Sequence, residues 1–206
     1  MKRDSKELKE ENKLLEKTLK ADPKNFDSIV KIAYNSFFLN DLKKALKFYK
    51  KALALQPQLD YINYNVGNVY HFLKNNKKAA HYYLMALSLN PRYVEALNNM
   101  GIIYFEMQQP KLAFKMHNTA LEVSPNHPEA YHHIGILHRE VNSDFELSMW
   151  YLKKAIRLDY NYAPNHYQLG LTYKKMNELE FAKSEFGIAL QLMPNYKDAK
   201  KELAKV

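Results

Sequence analysis

The chain has 206 residues, 47% hydrophobic and 26% charged, a balance that excludes a disordered chain and suffices for a buried core. It has no cysteine, which excludes a disulfide framework, a zinc–thiolate site and a cysteine nucleophile. The formal net charge of +9 fits a solvated lysine-rich surface and also allows attraction to acidic peptides or nucleic acid.

The opening MKRDSKELKEENKLLEKTLK is charged throughout and lacks the apolar core of a secretory signal. Residues 5–22 read as a helix with Leu8, Leu15 and Leu19 on one side. Nowhere does a run of roughly 18 uncharged apolar residues occur, so no membrane span is predicted. With cysteine absent, a cytoplasmic location is the expectation.

From residue 26 the chain is periodic. Pro23, Pro57, Pro91 and Pro125 stand 34 apart; the next register point is Tyr160, one residue late, and Pro194 follows after another 34. Gly67, Gly101, Gly135 and Gly170 repeat the rhythm, with Ala33 in the same place in the first unit. Ala45, Ala79, Ala113, Ser148 and Ala182 form a second series, and Ala52, Ala86, Ala120, Ala155 and Ala189 a third. Five units follow: 26–59, 60–93, 94–127, 128–162 and 163–196. In the third, Val94, Leu97, Gly101 and Tyr104 share one helical face, then Leu112, Ala113, Met116, Ala120 and Val123 share another. Gln108-Gln109-Pro110 separates the two helices, so each unit is predicted to be an antiparallel helix pair. Small residues in three registers let the paired backbones approach closely.

The single slip lies between Gly135 and Ser148, and is expected in the turn around Asn142-Ser143-Asp144. Inside a helix an extra residue would rotate the buried face by about 100°. Trp150, the one tryptophan, is expected to pack against Phe145 or the next unit. Residues 197–206 read as a capping helix, polar through Lys197, Lys200, Lys201 and Lys205, with Ala199, Leu203 and Ala204 turned inward.

A period of 34 with Gly at position eight, Ala at twenty and twenty-seven and Pro at thirty-two resembles the tetratricopeptide repeat (TPR). Matching residues are Gly67, Tyr70, Ala79, Tyr83, Ala86 and Pro91 in the second unit, and Gly101, Tyr104, Ala113, Ala120 and Pro125 in the third. The fourth departs most, with His138, Ser148 and Tyr160 where Tyr, Ala and Pro are usual. The resemblance implies an all-α, right-handed α-solenoid whose first helices line a concave groove for a peptide or partner protein. It makes positions two, five, six, nine, twelve and thirteen of each unit the lining. Candidate groove residues on that basis are Tyr34, Tyr61, Tyr64, Asn65, Asn68, Asn98, Asn99, His132, His133, Tyr167 and Gln168. Asn and Gln amides both donate and accept, which suits pairing with an extended peptide backbone, and tyrosines add apolar area with a polar tip. Chaperone-binding members clamp a carboxylate with cations; the corresponding Tyr64, Asn68, Asn99, Glu129 and His133 match only in the two asparagines.

No phosphate-cradling glycine loop, nucleophile elbow or HExxH pair occurs, so no catalytic residue, cofactor, metal site or small-molecule substrate is predicted. Adjacent His132 and His133 diverge on a helix and cannot readily chelate together. Two further readings are a structural scaffold that self-associates or joins a larger complex, and a basic nucleic-acid-associated module. Basic pairs such as Lys153-Lys154 and Lys174-Lys175 lack the contiguous, aromatic-interleaved stripe the latter needs, and the sequence leaves the oligomeric state open.

Overall fold

The structure, a computed structural model, describes residues 4–206. Among them are twelve α-helices and no strand. The chain divides into two compact units, Met1–Ile103 and Tyr104–Val206.

The first unit begins with α1 (Ser5–Ala21), followed by the pairs α2 (Phe26–Phe38) with α3 (Leu42–Leu55) and α4 (Asp60–Phe72) with α5 (Asn76–Leu89). Each helix packs on the next from α1 to α5. Helix α6 (Val94–Glu106) starts in this unit and contains the boundary. Asp4, Asn25, Asp41 and Asn75 cap α1, α2, α3 and α5, each side chain accepting from a first-turn N–H that lacks an intrahelical partner. The α1 surface is anchored by Leu8, which is buried, and by ion pairs Glu11–Lys31 at 2.6 Å and Glu16–Lys44 at 2.7 Å. Leu15 and Leu19 are half-buried.

The second unit holds α7 (Pro110–Val123), α8 (Pro128–Leu137), α9 (Phe145–Leu158), α10 (Ala163–Lys175), α11 (Leu179–Leu192) and α12 (Lys197–Leu203). Pairs α8–α9 and α10–α11 pack as hairpins, α9 lies against α10, and α12 covers α11. Leu152, Leu169, Tyr173, Ala182 and Phe186 form the core between these pairs. In the cap, Ala199 is buried and Leu203 packs inward, but Ala204 lies beyond the last helical turn and is exposed.

The recurring glycines sit where a large side chain of the second helix lies close, Leu152 for Gly135 and a ring for Gly67 and Gly170. A Cβ on Gly67 would come 2.6 Å from the Tyr83 ring, and one on Gly170 would come 2.6 Å from the Phe186 ring. The two alanine registers on the second helices are buried throughout. Hairpin turns end on a left-handed residue at Asn40, Lys74, Gln108, Ser143 and Asn177. In the first unit each such turn closes through a bond spanning five residues, Asp41 N–H to Ser36 C=O and Asn75 N–H to Tyr70 C=O, both at 2.9 Å.

The fourth repeat differs here, and the difference corrects the expected place of the slip. The equivalent bond runs from Asp144 N–H to the His138 carbonyl, six residues, and His138–Asn142 form a π-helical turn that continues α8. The extra residue thus lengthens the helix and not the loop. A π turn admits one more residue per turn, so the faces before and after it keep their registers. The turn also carries Arg139 inward. Buried, it donates from Nη1 to the Gln168 carbonyl at 2.8 Å and to Thr172 Oγ1 at 3.3 Å, and from Nη2 to Gln168 Oε1. Ser148, standing where Ala is usual, completes the network by its 2.9 Å bond with Thr172. Tyr160, in place of Pro, presents its carbonyl to His166 Nε2 at 3.0 Å.

Trp150, expected to pack against Phe145 or the next unit, has its ring contacts with tyrosines of its own repeat. It is 54% exposed, with its ring 4.8 Å from Tyr151 and 6.5 Å from Tyr131. It lies two residues from both Ser148 and Leu152, which are buried, and therefore about 200° round the helix from either.

Candidate functional site

The first unit contains a hollow of about 460 Å³ formed by α2, α4 and the segment after α5. Tyr34, Tyr61 and Asn65, three of the expected groove residues, converge on it. They come from positions nine, two and six of neighbouring repeats, so the 34-residue period places them side by side. Asp27 and Lys31 line the α2 side, and Tyr93 the far side. Tyr49, which is buried, contributes ring surface from below.

Tyr34 and Tyr61 remain 47% and 37% exposed, so their rings are open to a partner. The Tyr61 hydroxyl is held above its ordinary pKa by burial first, then by Asp27 and Asp60. Tyr93 is pushed up to about 12 by burial first, then by Tyr64, Glu95 and Asp60. Both hydroxyls therefore stay protonated at neutral pH and able to donate.

Beside the hollow lies an amide cluster. Asn68 Oδ1 accepts from the Tyr83 hydroxyl at 2.7 Å and from Asn99 Nδ2 at 3.0 Å, and Asn99 Nδ2 also donates to the Tyr64 hydroxyl at 3.2 Å. This orients the two half-exposed amides, leaving Asn68 Nδ2 and Asn99 Oδ1 as the remaining donor and acceptor.

An aromatic ridge that the sequence reading did not single out runs from the hollow. Tyr34 lies 4.6 Å from Phe38, Phe38 5.7 Å from Phe37, and Phe37 5.1 Å from Phe72. Phe38 and Phe72 are 59% and 62% exposed, and occupy position thirteen of their repeats. Tyr93 was equally detectable: Leu59, Tyr93, His127, Tyr162 and Tyr196 form a large-residue series at the last position of each repeat.

Position five lines the hollow only through Val30 of the first repeat. Asn98 and His132 are buried and offer no groove surface. His132 Nδ1 meets Asn165 Oδ1 at 2.7 Å, joining α8 to α10. Tyr64 packs 5.9 Å from Tyr83 and 4.9 Å from Tyr93. Tyr167 repeats the arrangement in the second unit, 5.9 Å from Phe186 and 5.0 Å from Tyr196. His132 thus reaches the following repeat, whereas Tyr64 and Tyr167 fold back on the second helix and the last residue of their own repeats. Gln168 is held by Arg139 through both its side chain and its carbonyl.

His133 lies between His117, whose ring stacks on it at 5.1 Å, and His132. Burial first, then neighbouring imidazoles, hold its pKa well below the ordinary value. Among the described residues, no group of three His, Asp or Glu side chains is placed to hold a metal ion, and no helix is long and apolar enough to cross a membrane.

No curated protein matches the chain in sequence. Solved structures do match in fold. The crystal structure of the APC/C hetero-tetramer Cut9-Hcn1 aligns with a TM-score of 0.87 at 15% identity, covering 98% of this chain and 39% of that one. Pseudomonas aeruginosa PilF aligns at 0.76 and 20% identity, covering 93% and 87%. YrrB, a TPR protein with an unusual peptide-binding site, aligns at 0.64 and 23% identity, covering 93% and 98%. At such identities the likeness is one of fold, an α-solenoid. Family profiles described as tetratricopeptide repeat match residues 26–59, 61–93 and 82–115. The chain belongs to the tetratricopeptide repeat family, a family of protein-interaction modules.

Proposed function

We propose that the chain captures an extended segment of a partner protein across α2 and α4, with the tyrosine-lined hollow as the main subsite. The observation that carries this reading is the convergence of Tyr34, Tyr61 and Asn65 from successive repeats onto one open hollow beside an oriented amide pair. A peptide side chain fills the hollow, its backbone pairs with Asn65, Asn68 and Asn99, and its apolar residues lie along Phe38 and Phe72. Tyrosine rings suit this role because they present large, stiff apolar area with little entropy to lose. YrrB, similar in fold, is a TPR protein with a peptide-binding site, which supports the reading. His133, Tyr167 and Gln168 belong to the other compact unit and serve packing in this account.

Tyr34→Ala combined with Tyr61→Ala tests it. Peptides selected on the wild-type chain from a random display library are expected to bind the double variant about thirtyfold more weakly, from about 2 kcal/mol of lost contact. Far-ultraviolet dichroism should be unchanged, because both side chains stand outside the core. Binding within twofold of wild type would reject the site.

A further inference from the structure

The net charge suggests acidic partners, but it is unevenly spread. Between α1 and α3 a separate hollow is lined by Lys20, Lys43, Lys44, Lys47 and Lys51, with only Glu16 and Asp41 opposing them. The tyrosine hollow has the reverse balance. Its one cation, Lys31, is paired with Glu11 at 2.6 Å. Its carboxylate, Asp27, has no ion pair among the described residues and lies near enough to Tyr61 to act on its hydroxyl. Asp60 adds a second negative charge at the same tyrosine, its own position held by Asn90 at 2.9 Å.

We infer that the tyrosine hollow receives a basic side chain, lysine or arginine, of the partner segment, seated between the Tyr34 and Tyr61 rings with its charge at Asp27. This rests on the peptide-capture reading and specifies its partner chemistry. Tyrosine faces attract a cation through their quadrupole, and the attraction strengthens where water is partly displaced. A lysine or arginine stem is apolar enough to lie against Tyr93 while its head reaches Asp27. An acidic side chain would meet Asp27 and Asp60 with only a lysine already satisfied by Glu11. The chain would thus be globally basic yet locally selective for basic segments, with the lysine-lined hollow kept on the far helices of the hairpins. Asp27 acts here as a specificity-determining residue.

Random dodecamer peptides displayed on phage, selected on the full chain, test the inference together with Tyr61→Ala and Asp27→Asn. Peptides whose binding falls on Tyr61→Ala are expected to be enriched in lysine or arginine over the library. Asp27→Asn should weaken them about tenfold, while affinity of their alanine-substituted versions changes less than twofold. Peptides that depend on Tyr61 but carry acidic or apolar residues, and ignore Asp27→Asn, would overturn the inference and leave the capture site standing. Peptides indifferent to Tyr61→Ala, or no enrichment at all, would overturn both.

Discussion

Acidification from pH 7.5 to 4.5 is expected to destabilise the second unit by about 3–5 kcal/mol. The cause is the histidine cluster joining α7, α8 and α10. His117 is lowered to about 3 by burial first, then by His127 and His132. His132 is lowered to about 4 by burial first and by Arg139, with the Asn165 bond and Glu129 pulling the other way. Both are neutral in the fold down to acid pH. In the unfolded chain they bind protons below about 6.5. The unfolded state then holds more protons, so stability falls as the pH drops from about 6.5 toward the folded values, and levels off below them. Above 6.5 the two states bind equally and the contribution is flat. Trp150, the one tryptophan, lies in the second unit, so its fluorescence on heating reports that unit. The transition should move to lower temperature across this window, and His117→Gln, which cannot protonate, should flatten the slope. An unchanged slope in that variant would show that acid acts elsewhere.

Gly170→Ala is expected to destabilise by about 2–3 kcal/mol, although alanine is the better helix former by about 1 kcal/mol. Two effects compete, and distance decides between them. The added methyl would sit 2.6 Å from the Phe186 ring, inside contact distance. Phe186 is fully buried among Leu169, Tyr173 and Ala182 and has nowhere to move. The hairpin must therefore open or the ring leave its rotamer, and overpacking exceeds the propensity gain. Urea unfolding followed at Trp150 should show the lowered midpoint. Gly170→Ala with Phe186→Leu should recover part of the loss, since the smaller side chain vacates the contested space. A midpoint at or above wild type for Gly170→Ala alone would contradict close approach at this register.

The repeat was legible because its registers carry packing demands that few residues meet. Gly67 and Gly170 answer to a flat ring, the alanines to backbone approach, and the prolines to the return of the chain. The slip was legible as a count but not as a conformation. Loop extension is ordinarily the easier solution, yet here the helix continues through a π turn in which Arg139 finds four acceptor contacts on Glu140, Gln168 and Thr172. Periodicity ranks a position as facing outward from its own helix pair, and it is silent on what the next repeat lays over it. The family resemblance put Asn98 and His132 in the groove, and they lie buried. The aromatic ridge falls at positions twelve and thirteen, which the resemblance put in the lining, but the repeat pattern gave no sign that Phe37, Phe38 and Phe72 of two repeats meet. Tyr93 escaped because it follows a proline in a connecting segment.

Much of the amide group that suggested backbone recognition is engaged within the chain. Asn68 and Asn99 hold each other and two tyrosine hydroxyls, so they enter binding as a fixed pair with one donor site and one acceptor left. A preformed pair loses less freedom on binding than two mobile amides would. Asn65, beside Tyr34 and Tyr61 in the hollow, completes the polar contacts expected of the partner's backbone.

A crystal structure of the full chain with a peptide selected on it would be the most direct trial of this account. The peptide should lie over Tyr34, Tyr61 and Asn65, with one side chain inside the hollow and backbone bonds to the Asn68–Asn99 pair. A peptide seated instead at the exposed Trp150, or in the lysine-lined hollow between α1 and α3, with the tyrosine hollow empty, would contradict it.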